Sequence, residues 1–235
     1  MQTVLHEASS RGYAEHGWLT THHSFSFASY YDPERMGFGA LRVLNDDTIA
    51  PGAGFGRHPH DNMEIITIPL SGSLKHEDSM GNSAVITTGE VQVMSAGTGV
   101  VHAEWNASEK DPLTLFQIWI LSDKRGVEPR YDQKHFDPAR YRNNFYQVVG
   151  RIGESEIGIH QEAGIFLARF DAGKNTEYVL KNSGQGVYFL VIEGDATIAG
   201  TQLLSRDALG VWDTERIMIT IKKDTQLLAI EVPMR

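Results

Sequence analysis

Short apolar runs, each closed by turn-forming residues, fill the chain from Gly39 to about Ile120. β-branched and aromatic residues dominate these runs, and Gly, Pro, Asn and Asp separate them, as in "AVITTGEVQVMSAGTGV". This pattern predicts short β-strands at close spacing, which is typical of a β-sandwich or barrel. The best helical pattern is the weak one in "DPARYRNNFYQVVG". We therefore predict an all-β protein.

A polar stretch, "SDKRGVEPRYDQKHFDPARYR", interrupts this rhythm and predicts a linker. The β pattern resumes after it, and the order of strands and Gly turns in the second half resembles that in the first. Two tandem, jelly-roll-like β-barrels explain this faint repeat, although a shared preference for hairpins would also produce it. We expect an N-terminal domain at residues 1–130, a linker at 131–145 and a C-terminal domain at 146–235.

The composition is that of an ordinary globular protein and narrows the possible functions. Of the 235 residues, 41% are hydrophobic and 22% are charged, and the net charge is -9. An acidic protein is a poor direct partner for nucleic acid or an anionic membrane. The start of the chain lacks the apolar core of a signal peptide, so we expect a cytoplasmic protein. Because the chain has no cysteine, His, Asp or Glu must hold any metal.

His58 and His60 stand one residue apart before an apolar run, and Glu64 follows at the same parity. Side chains of equal parity point to one face of a strand. If one strand runs through all three residues, their side chains project together, on the same buried face as Ile66, Ile68 and Leu70. Buried imidazoles are costly unless a partner satisfies them. A divalent metal would be such a partner.

A second pair, His102 and Glu104, follows about forty residues later, after a Gly-rich turn. Together the pairs supply three imidazoles and a carboxylate, a donor set that binds Fe(II), Mn(II), Ni(II), Cu(II) or Zn(II) without sulfur. Glu64 is the alternative to Glu104 as fourth ligand, or an acceptor that fixes an imidazole. Three other histidines are interpreted as lid, surface or supporting residues and not as ligands: His22, His23 and His76.

Two stretches, "GFGRHPHDNMEIITIPLSG" and "GEVQVMSAGTGVVHAEWN", resemble the two motifs of the cupins. The segment from Phe25 to Asp47, with "HEDSMGN" and "MSAGTGVVHAE", is very similar to one branch, the pirin family, whose members are two-domain bicupins. From about Gly17 to Arg130 many motifs agree with the pirin family. In the rest of the chain the resemblance rests only on length and on the general pattern of β-strands. Ser95 replaces the usual proline of the second motif, a feature that pirins share.

This resemblance implies one metal in the N-terminal barrel, held by the residues that match the pirin pattern: His58, His60, His102 and Glu104. In cupins at large the glutamate of the first motif ligates, which would be Glu64, but the pirin pattern favours Glu104. The expected ion is Fe(II), with Mn, Ni, Co, Cu and Zn as alternatives. The C-terminal barrel has His160 as its one histidine. We expect that barrel to be metal-free and structural, or to form a wall or lid over the first site.

Several bacterial pirin-like proteins are quercetinases, so the resemblance implies quercetin 2,3-dioxygenase activity, in which O2 opens a flavonol ring and CO is released. Four protein ligands leave room on the ion for a substrate oxygen and for O2. Glu104, or else Glu64, is the expected catalytic base. Six residues are candidates for lining an apolar slot: Phe25, Phe27, Phe55, Met94, Trp105 and Phe116.

The chain also resembles pirins of higher organisms, which are transcriptional coregulators whose iron redox state controls partner binding. The alternative function is therefore a metal- and redox-sensing regulator that acts through a protein partner. A third hypothesis is a vestigial site in a protein that binds small molecules or acts in a stress response. We expect a monomer, because two barrels in one chain already bury each other's faces.

Overall fold

The computed structural model describes residues 1–234, and β-strands dominate it. Two short 3₁₀ helices, Ala8–Ser10 and Pro138–Tyr141, interrupt the strands. The second coincides with the start of the weak helical pattern, whose last part, from Tyr146, forms a strand. Within the described residues, helices long and apolar enough for a bilayer are absent. The predicted all-β class is confirmed.

Residues 1–234 contain 22 strands. Those of the first half are β1 (Gln2–His6), β2 (Gly12–Glu15), β3 (Leu19–His23), β4 (Leu41–Ile49), β5 (Gly54–His60), β6 (Met63–Ser71), β7 (Ser73–Asp78), β8 (Ser83–Thr87), β9 (Glu90–Ser95), β10 (Val100–Asn106), β11 (Leu113–Leu121) and β12 (Arg130–His135). Those of the second half are β13 (Tyr146–Arg151), β14 (Gly158–Ile159), β15 (Gly164–Phe170), β16 (Asn175–Val179), β17 (Gln185–Glu193), β18 (Asp195–Ile198), β19 (Thr201–Leu204), β20 (Ala208–Trp212), β21 (Arg216–Ile221) and β22 (Thr225–Pro233).

The described strands form two domains, each with one seven-stranded and one four-stranded sheet. The N-terminal sheets have the orders β12-β9-β6-β11-β4-β3-β2 and β5-β10-β7-β8. The C-terminal sheets have the orders β1-β20-β17-β22-β15-β13-β14 and β16-β21-β18-β19. The succession β9-β6-β11-β4 matches β20-β17-β22-β15, so the internal repeat is a repeated topology. Each domain is a two-sheet, jelly-roll-like unit and not a barrel closed by hydrogen bonds.

Two strands lie outside the predicted domain boundaries. β1 pairs with β20, with Gln2 opposite Trp212, so the first strand belongs to the C-terminal sheet and not to the predicted 1–130 domain. β12 begins at Arg130 and otherwise lies in the predicted 131–145 linker, yet it pairs with β9 in the N-terminal sheet, with Arg130 opposite Ser95. Each strand covers an edge of a large sheet that would otherwise expose unpaired backbone groups. Local sequence patterns do not reveal such long-range pairing.

The two seven-stranded sheets pack against each other through a core between the domains. Even-numbered residues of the N-terminal sheet, such as Leu44, Ile66 and Phe116, belong to this core together with Tyr188 and Leu190 of β17. Apart from Leu41, which belongs to the same core, the odd-numbered residues of β4, β6 and β11 therefore point to the opposite face, into the N-terminal domain. The prediction that Ile66 lies on the buried face of its own barrel is therefore wrong, because Ile66 contacts the other domain and not the interior of its own.

The interiors of the two domains differ. Apolar side chains fill the C-terminal domain between its sheets, with the rings of Tyr178 and Phe189 edge to face at 5.4 Å between centroids. The N-terminal domain has a smaller apolar cluster around Leu19, Ile49 and Leu74, and Leu19 also borders a cavity. The C-terminal interior is thus packed with apolar side chains, whereas the N-terminal interior borders a cavity.

Candidate metal centre

His58 and His102 are direct partners across the antiparallel strands β5 and β10. Their ring centroids lie 4.4 Å apart and their Nε2 atoms 3.0 Å apart. His60, two residues along β5, adds a third imidazole whose centroid is 4.9 Å from each of the other two. Residues two apart on a strand share a face. The strand pair therefore presents three imidazoles to one place.

Glu104 follows on β10, beyond a bulge between His102 and Glu104. A bulge re-aims the side chains beside it. The Glu104 carboxylate is 3% exposed and accepts hydrogen bonds from Gln117 Nε2 at 3.0 Å and from the Thr67 hydroxyl at 3.4 Å. Gln117 and Thr67 belong to the seven-stranded sheet, whereas Glu104 belongs to the four-stranded one. The carboxylate is thus held from the opposite sheet.

The protonation states of these groups suit metal binding. Burial, which disfavours the charged form, lowers the pKa of His60 and of His102 to about 4. Burial also acts to raise the pKa of Glu104, but attraction to nearby imidazoles, that of His76 first, outweighs it and holds this pKa below its usual range. At neutral pH His60 and His102 are therefore neutral imidazoles near an anionic carboxylate, as metal ligation requires.

The hydrogen bonding of the imidazoles fits a bound ion. His58 Nδ1 donates to the Gly56 carbonyl at 2.8 Å, which leaves a lone pair on Nε2. Two nitrogens at right angles, each about 2.1 Å from one ion, lie about 3 Å apart. The Nε2 atoms of His58 and His102 have this separation, so the donor set fits a divalent transition metal.

The donor atoms form two overlapping groups, His58 with His60 and His102, and His76 with His102 and Glu104. Within each group these atoms lie within 4.8 Å of one another. His102 belongs to both groups. The structure thus brings the four residues predicted as ligands to one location and adds His76 to them.

His76 is fully buried on β7, so its interpretation as a surface residue is wrong. Its Nε2 pairs with Asp78 Oδ2 at 3.2 Å, and its Nδ1 lies 3.1 Å from Gln92 Nε2. The same Nδ1 lies 3.9 Å from Glu104 Oε1. Burial acts to lower the pKa of His76, but Glu104 and Asp78 outweigh it and raise this pKa. With partners at both nitrogens, the ring stabilises the Glu104 carboxylate, in line with the supporting role also considered for it.

Four residues that hold Glu104 and His76 in place were not predicted from the sequence: Thr67, Asp78, Gln92 and Gln117. A polar residue inside an apolar strand was the available signal, since Thr67 interrupts "EIITIPL" and Gln117 interrupts "LTLFQIWIL". For Asp78 the signal was its parity with His76 in the "HEDSMGN" motif. These signals show that a partner is present but not which residue it is.

Glu64 lies on the other face of the large sheet. The chain turns at Asn62, with φ of 46°, so β5 ends there and β6 begins in a different sheet. Glu64 is 1% exposed and accepts a hydrogen bond from Ser95 Oγ at 2.5 Å. Its neighbour Ile65 lines the cavity beside the imidazoles. The shared face predicted for Glu64 and the two histidines of β5 is therefore wrong, and its side chain points away from them.

A cavity of about 580 Å³ opens beside the imidazoles, which form part of its wall. Among the described residues its lining extends from Ala14 to Trp119, so the N-terminal domain supplies it and the C-terminal domain forms neither wall nor lid. Aromatic and aliphatic side chains make up much of the wall: Trp18, Leu19, Phe27, Phe55, Ile65 and Trp119. The cavity therefore offers apolar surface directly beside the cluster of donor atoms.

Two of the six predicted lining residues, Phe27 and Phe55, are confirmed. The others are used elsewhere. Phe25 and Phe116 lie in the core between the domains, Met94 belongs to a small apolar cluster, and Trp105 packs beside the Lys75 ammonium, 5.9 Å from its ring centroid.

The adjacent histidines of β3 point to opposite faces, as neighbours on a strand do. His22 is half-buried and packs against Tyr13, with 5.2 Å between ring centroids. His23 is buried and lines the cavity. The interpretation as lid or surface residues is therefore wrong for His23, which belongs to the wall.

Both halves of the chain match models of known protein families. The family model described as Pirin matches residues 5–120, and that of the quercetinase C-terminal cupin domain matches residues 147–232. The quercetin 2,3-dioxygenase of Escherichia coli K12 is 42% identical over 230 residues, which cover 97% of this chain and 98% of that protein. A pirin-like protein of Caulobacter vibrioides is 40% identical over 222 residues, 94% of this chain and 95% of that protein.

Among solved structures, the bacterial pirin YhhW from Escherichia coli in complex with nickel(II) is 39% identical, with a TM-score of 0.93 over 99% of each chain. A quercetin 2,3-dioxygenase from Acinetobacter baumannii, 20% identical, shares the fold, with a TM-score of 0.74 over 92% of this chain and 81% of that one. The repeated two-sheet domains are thus a bicupin, as predicted. The chain belongs to the pirin family.

Proposed function

We propose that the N-terminal domain binds one divalent transition metal through His58, His60, His102 and Glu104. We further propose that the protein is a quercetin 2,3-dioxygenase, which opens a flavonol ring with O2 and releases CO. The observation that carries this proposal is the position of the donor cluster in the wall of an aromatic cavity of about 580 Å³. Cavities of about 300–1,000 Å³ are typical of small-molecule sites. The names of full-length relatives support the choice of reaction.

The aromatic wall suits a flat substrate. The Trp119 ring meets His60 edge to face at 4.9 Å between centroids and meets Phe27 in the same way at 5.3 Å. Trp18 and Phe55 form another edge-to-face pair, at 5.0 Å. These four rings border the cavity and would exclude water from a planar ligand bound beside the imidazoles.

A bound ion would act as a Lewis acid on the 3-hydroxyl oxygen of a flavonol and lower the pKa of that hydroxyl. Glu104 is the proposed base. Gln117 donates to Glu104 Oε2 at 3.0 Å. Within the described residues, the one hydrogen bond to Glu104 Oε1 is the longer one from the Thr67 hydroxyl, 3.4 Å. Oε1 is therefore the atom free to bind the ion and, when released from it, to accept the proton, with His76 Nδ1 at 3.9 Å. Glu64 is not proposed as a base, because its carboxylate binds Ser95 on the other face of the sheet.

Fe(II) is the ion that we propose, because sites of imidazole and carboxylate with open positions are typical of non-haem iron oxygenases. The intrinsic affinity order favours Ni(II) and Cu(II) over Fe(II). The ion found in the purified protein will therefore depend on supply, and activity rather than affinity must identify the functional metal.

The test is anaerobic loading of the metal-free protein with Fe, Mn, Co, Ni, Cu or Zn, followed by assays of O2 uptake and CO release with quercetin. We expect metal-dependent turnover that His60→Ala and Glu104→Ala abolish. The control is His135→Ala, which changes an exposed histidine of β12. Tight metal binding without turnover in the wild type would contradict the dioxygenase and favour a metal-sensing regulator that acts through a protein partner.

We also propose that the protein is a monomer. The largest apolar surface of each domain, that of its seven-stranded sheet, is already covered by the other domain of the same chain. Light scattering coupled to gel filtration would check this state, and a mass near twice 26.2 kDa would contradict it.

A further inference from the structure

The cavity wall across from the metal ligands carries polar side chains that the proposed reaction does not use. Asn45 and Asp47 lie on β4 and His23 on the neighbouring β3, and all three line the cavity. These strands belong to the seven-stranded sheet, whereas the three imidazoles of the metal centre belong to the four-stranded sheet. A ligand in the cavity therefore lies between two polar regions on opposite sheets.

Asp47 is incompletely paired. It is 3% exposed, and its Oδ1 atom is buried without a hydrogen-bond partner among the described residues. Thr21 lies opposite Asp47 on the adjacent strand, and its hydroxyl acts to lower the pKa of this carboxyl group. Buried polar atoms are nearly always paired, and an unpaired carboxyl oxygen is costly. Asp47 also lines the cavity, where a ligand that brings a polar group against this carboxyl would complete its hydrogen bonding.

His23 is fixed beside this carboxyl group. Its Nδ1 donates to Asn45 Oδ1 at 2.8 Å, which leaves the lone pair on Nε2. Its ring packs against Phe27, with 5.4 Å between centroids, and lies nearly parallel to that of Tyr30. This wall therefore holds a pre-oriented imidazole and an incompletely paired carboxyl group, and polar groups of this kind orient a ligand in an otherwise apolar pocket.

We propose that Asp47, on the same cavity wall as His23, binds a hydroxyl group of an aromatic substrate on the side of the cavity across from the three imidazoles, and so orients the substrate and selects polyhydroxylated ones. This inference rests on the proposed function, because it assumes that a flavonol-like substrate occupies the cavity. Asp47 is a positioning residue in this scheme and takes no part in the chemical step.

The ionisation of Asp47 agrees with this role. Burial raises the pKa of Asp47 to about 7, against the hydrogen bond from Thr21, and the negative charges of Asp46 and Glu104 add to the rise. Near neutral pH the group therefore exists both as an acid, which donates a hydrogen bond, and as a carboxylate, which accepts one. A phenolic hydroxyl pairs with either form.

The test compares kcat/KM for quercetin with that for 3-hydroxyflavone, which keeps the 3-hydroxyl but lacks the others. We expect the wild type to prefer quercetin and Asp47→Leu to lose about tenfold of that preference. Asp47→Asn, which retains a donor and an acceptor, should keep most of it. The matched control is Asp46→Asn on the opposite face of β4, where the carboxylate binds Arg11 and Arg206 and the ratio should not change. Because each variant is judged by its own ratio of kcat/KM for quercetin to kcat/KM for 3-hydroxyflavone, differences between variants in metal content and active fraction cancel.

Equal losses on both flavonols in Asp47→Leu would mean that Asp47 only stabilises the fold, and would overturn the inference. If the wild type turns over neither flavonol, it is the proposed function that fails. Anaerobic binding of the two flavonols to metal-loaded wild type and Asp47→Leu then tests recognition alone. Loss of selectivity for quercetin in the variant supports the inference, and unchanged selectivity or absence of binding to the wild type overturns it.

Discussion

The Nε2 atoms of His58 and His102 lie 3.0 Å apart because the two residues are direct register partners across β5 and β10. Strand pairing alone therefore sets the closest pair of donor atoms. A slip of one residue in either strand would turn one imidazole to the opposite face of the sheet. The geometry of the centre is thus a property of the sheet, and its hydrogen bonds preserve it before any ion binds.

Loss of one imidazole should remove the metal without unfolding the protein. We expect His102→Ala to lower metal affinity by more than about 100-fold, since changes to residues behind a ligand already cost 10–100-fold. The matched control, His135→Ala, removes an exposed histidine and should retain the metal. Elemental analysis after equilibrium dialysis measures the metal, and circular dichroism checks the fold. Unchanged metal content in His102→Ala would contradict the assignment.

Gln117 should matter more than Thr67, because its hydrogen bond to Glu104 is 3.0 Å and that of Thr67 is 3.4 Å. We expect Gln117→Leu to lower metal affinity about 10-fold or more, and Thr67→Val to have a smaller effect. Competitive titration against a chelator gives both affinities. Equal effects of the two variants would contradict the larger role of Gln117 in holding the Glu104 carboxylate.

Asp47 should make stability fall with rising pH. Its pKa rises from 3.8 to about 7 on folding, so the folded state binds this proton more tightly than the unfolded state does. The stabilisation that protonated Asp47 provides is lost as the pH rises from 3.8 to about 7, and the free energy of unfolding changes no further from this group above about pH 7. Between pH 5 and 8 the wild type should lose about 2–3 kcal/mol of unfolding free energy relative to Asp47→Asn. Urea titrations of the metal-free proteins measure this difference, and parallel pH curves would refute it.

The core between the domains should contribute strongly to stability. Phe116 is fully buried there, and the Arg206 guanidinium lies 5.4 Å from its ring centroid. We expect Phe116→Ala to lower the unfolding free energy by about 3–5 kcal/mol. Met218→Ala, which truncates a side chain that is 63% exposed on β21, should change it by less than about 0.5 kcal/mol. Similar values for the two variants in urea unfolding would rule out a shared core.

Gly97, in the turn before β10, has φ of 50°, and a Cβ atom there would lie 2.1 Å from the Val127 carbonyl oxygen. Gly81 has φ of 95° and open space around the same position. Alanine strains the backbone at both sites, but only at Gly97 must it also displace neighbouring backbone. We expect Gly97→Ala to cost roughly 1–3 kcal/mol more than Gly81→Ala. Thermal unfolding of the two variants compares them, and equal melting temperatures would contradict the steric argument.

Part of this architecture could be predicted because it depends on local properties of the chain. Runs of β-branched residues between Gly and Asn turns predict strands wherever the chain folds. The spacing of His58 with His60, and of His102 with Glu104, likewise puts each pair on one face of a short strand. Imidazole and carboxylate donors without cysteine limit the chemistry to a few metals whatever the fold.

The partners of each strand could not be predicted. The turn at Asn62 ends β5, sends β6 into the other sheet and places Glu64 away from the histidines. β1 crosses to the C-terminal sheet, although its sequence does not differ from that of an ordinary edge strand. Both outcomes depend on hydrogen bonds between residues far apart in sequence.

By itself the sequence determined the strand content, the repeat and the donor set, because side-chain chemistry and residue spacing are local. The tertiary structure decided which face of each strand is the functional one. Asp46 and Asp47 are adjacent and chemically identical, yet one binds arginines at the domain interface and the other borders the cavity. That difference arises because a strand has two equivalent faces until other sheets cover them, and packing between distant segments decides what covers each face.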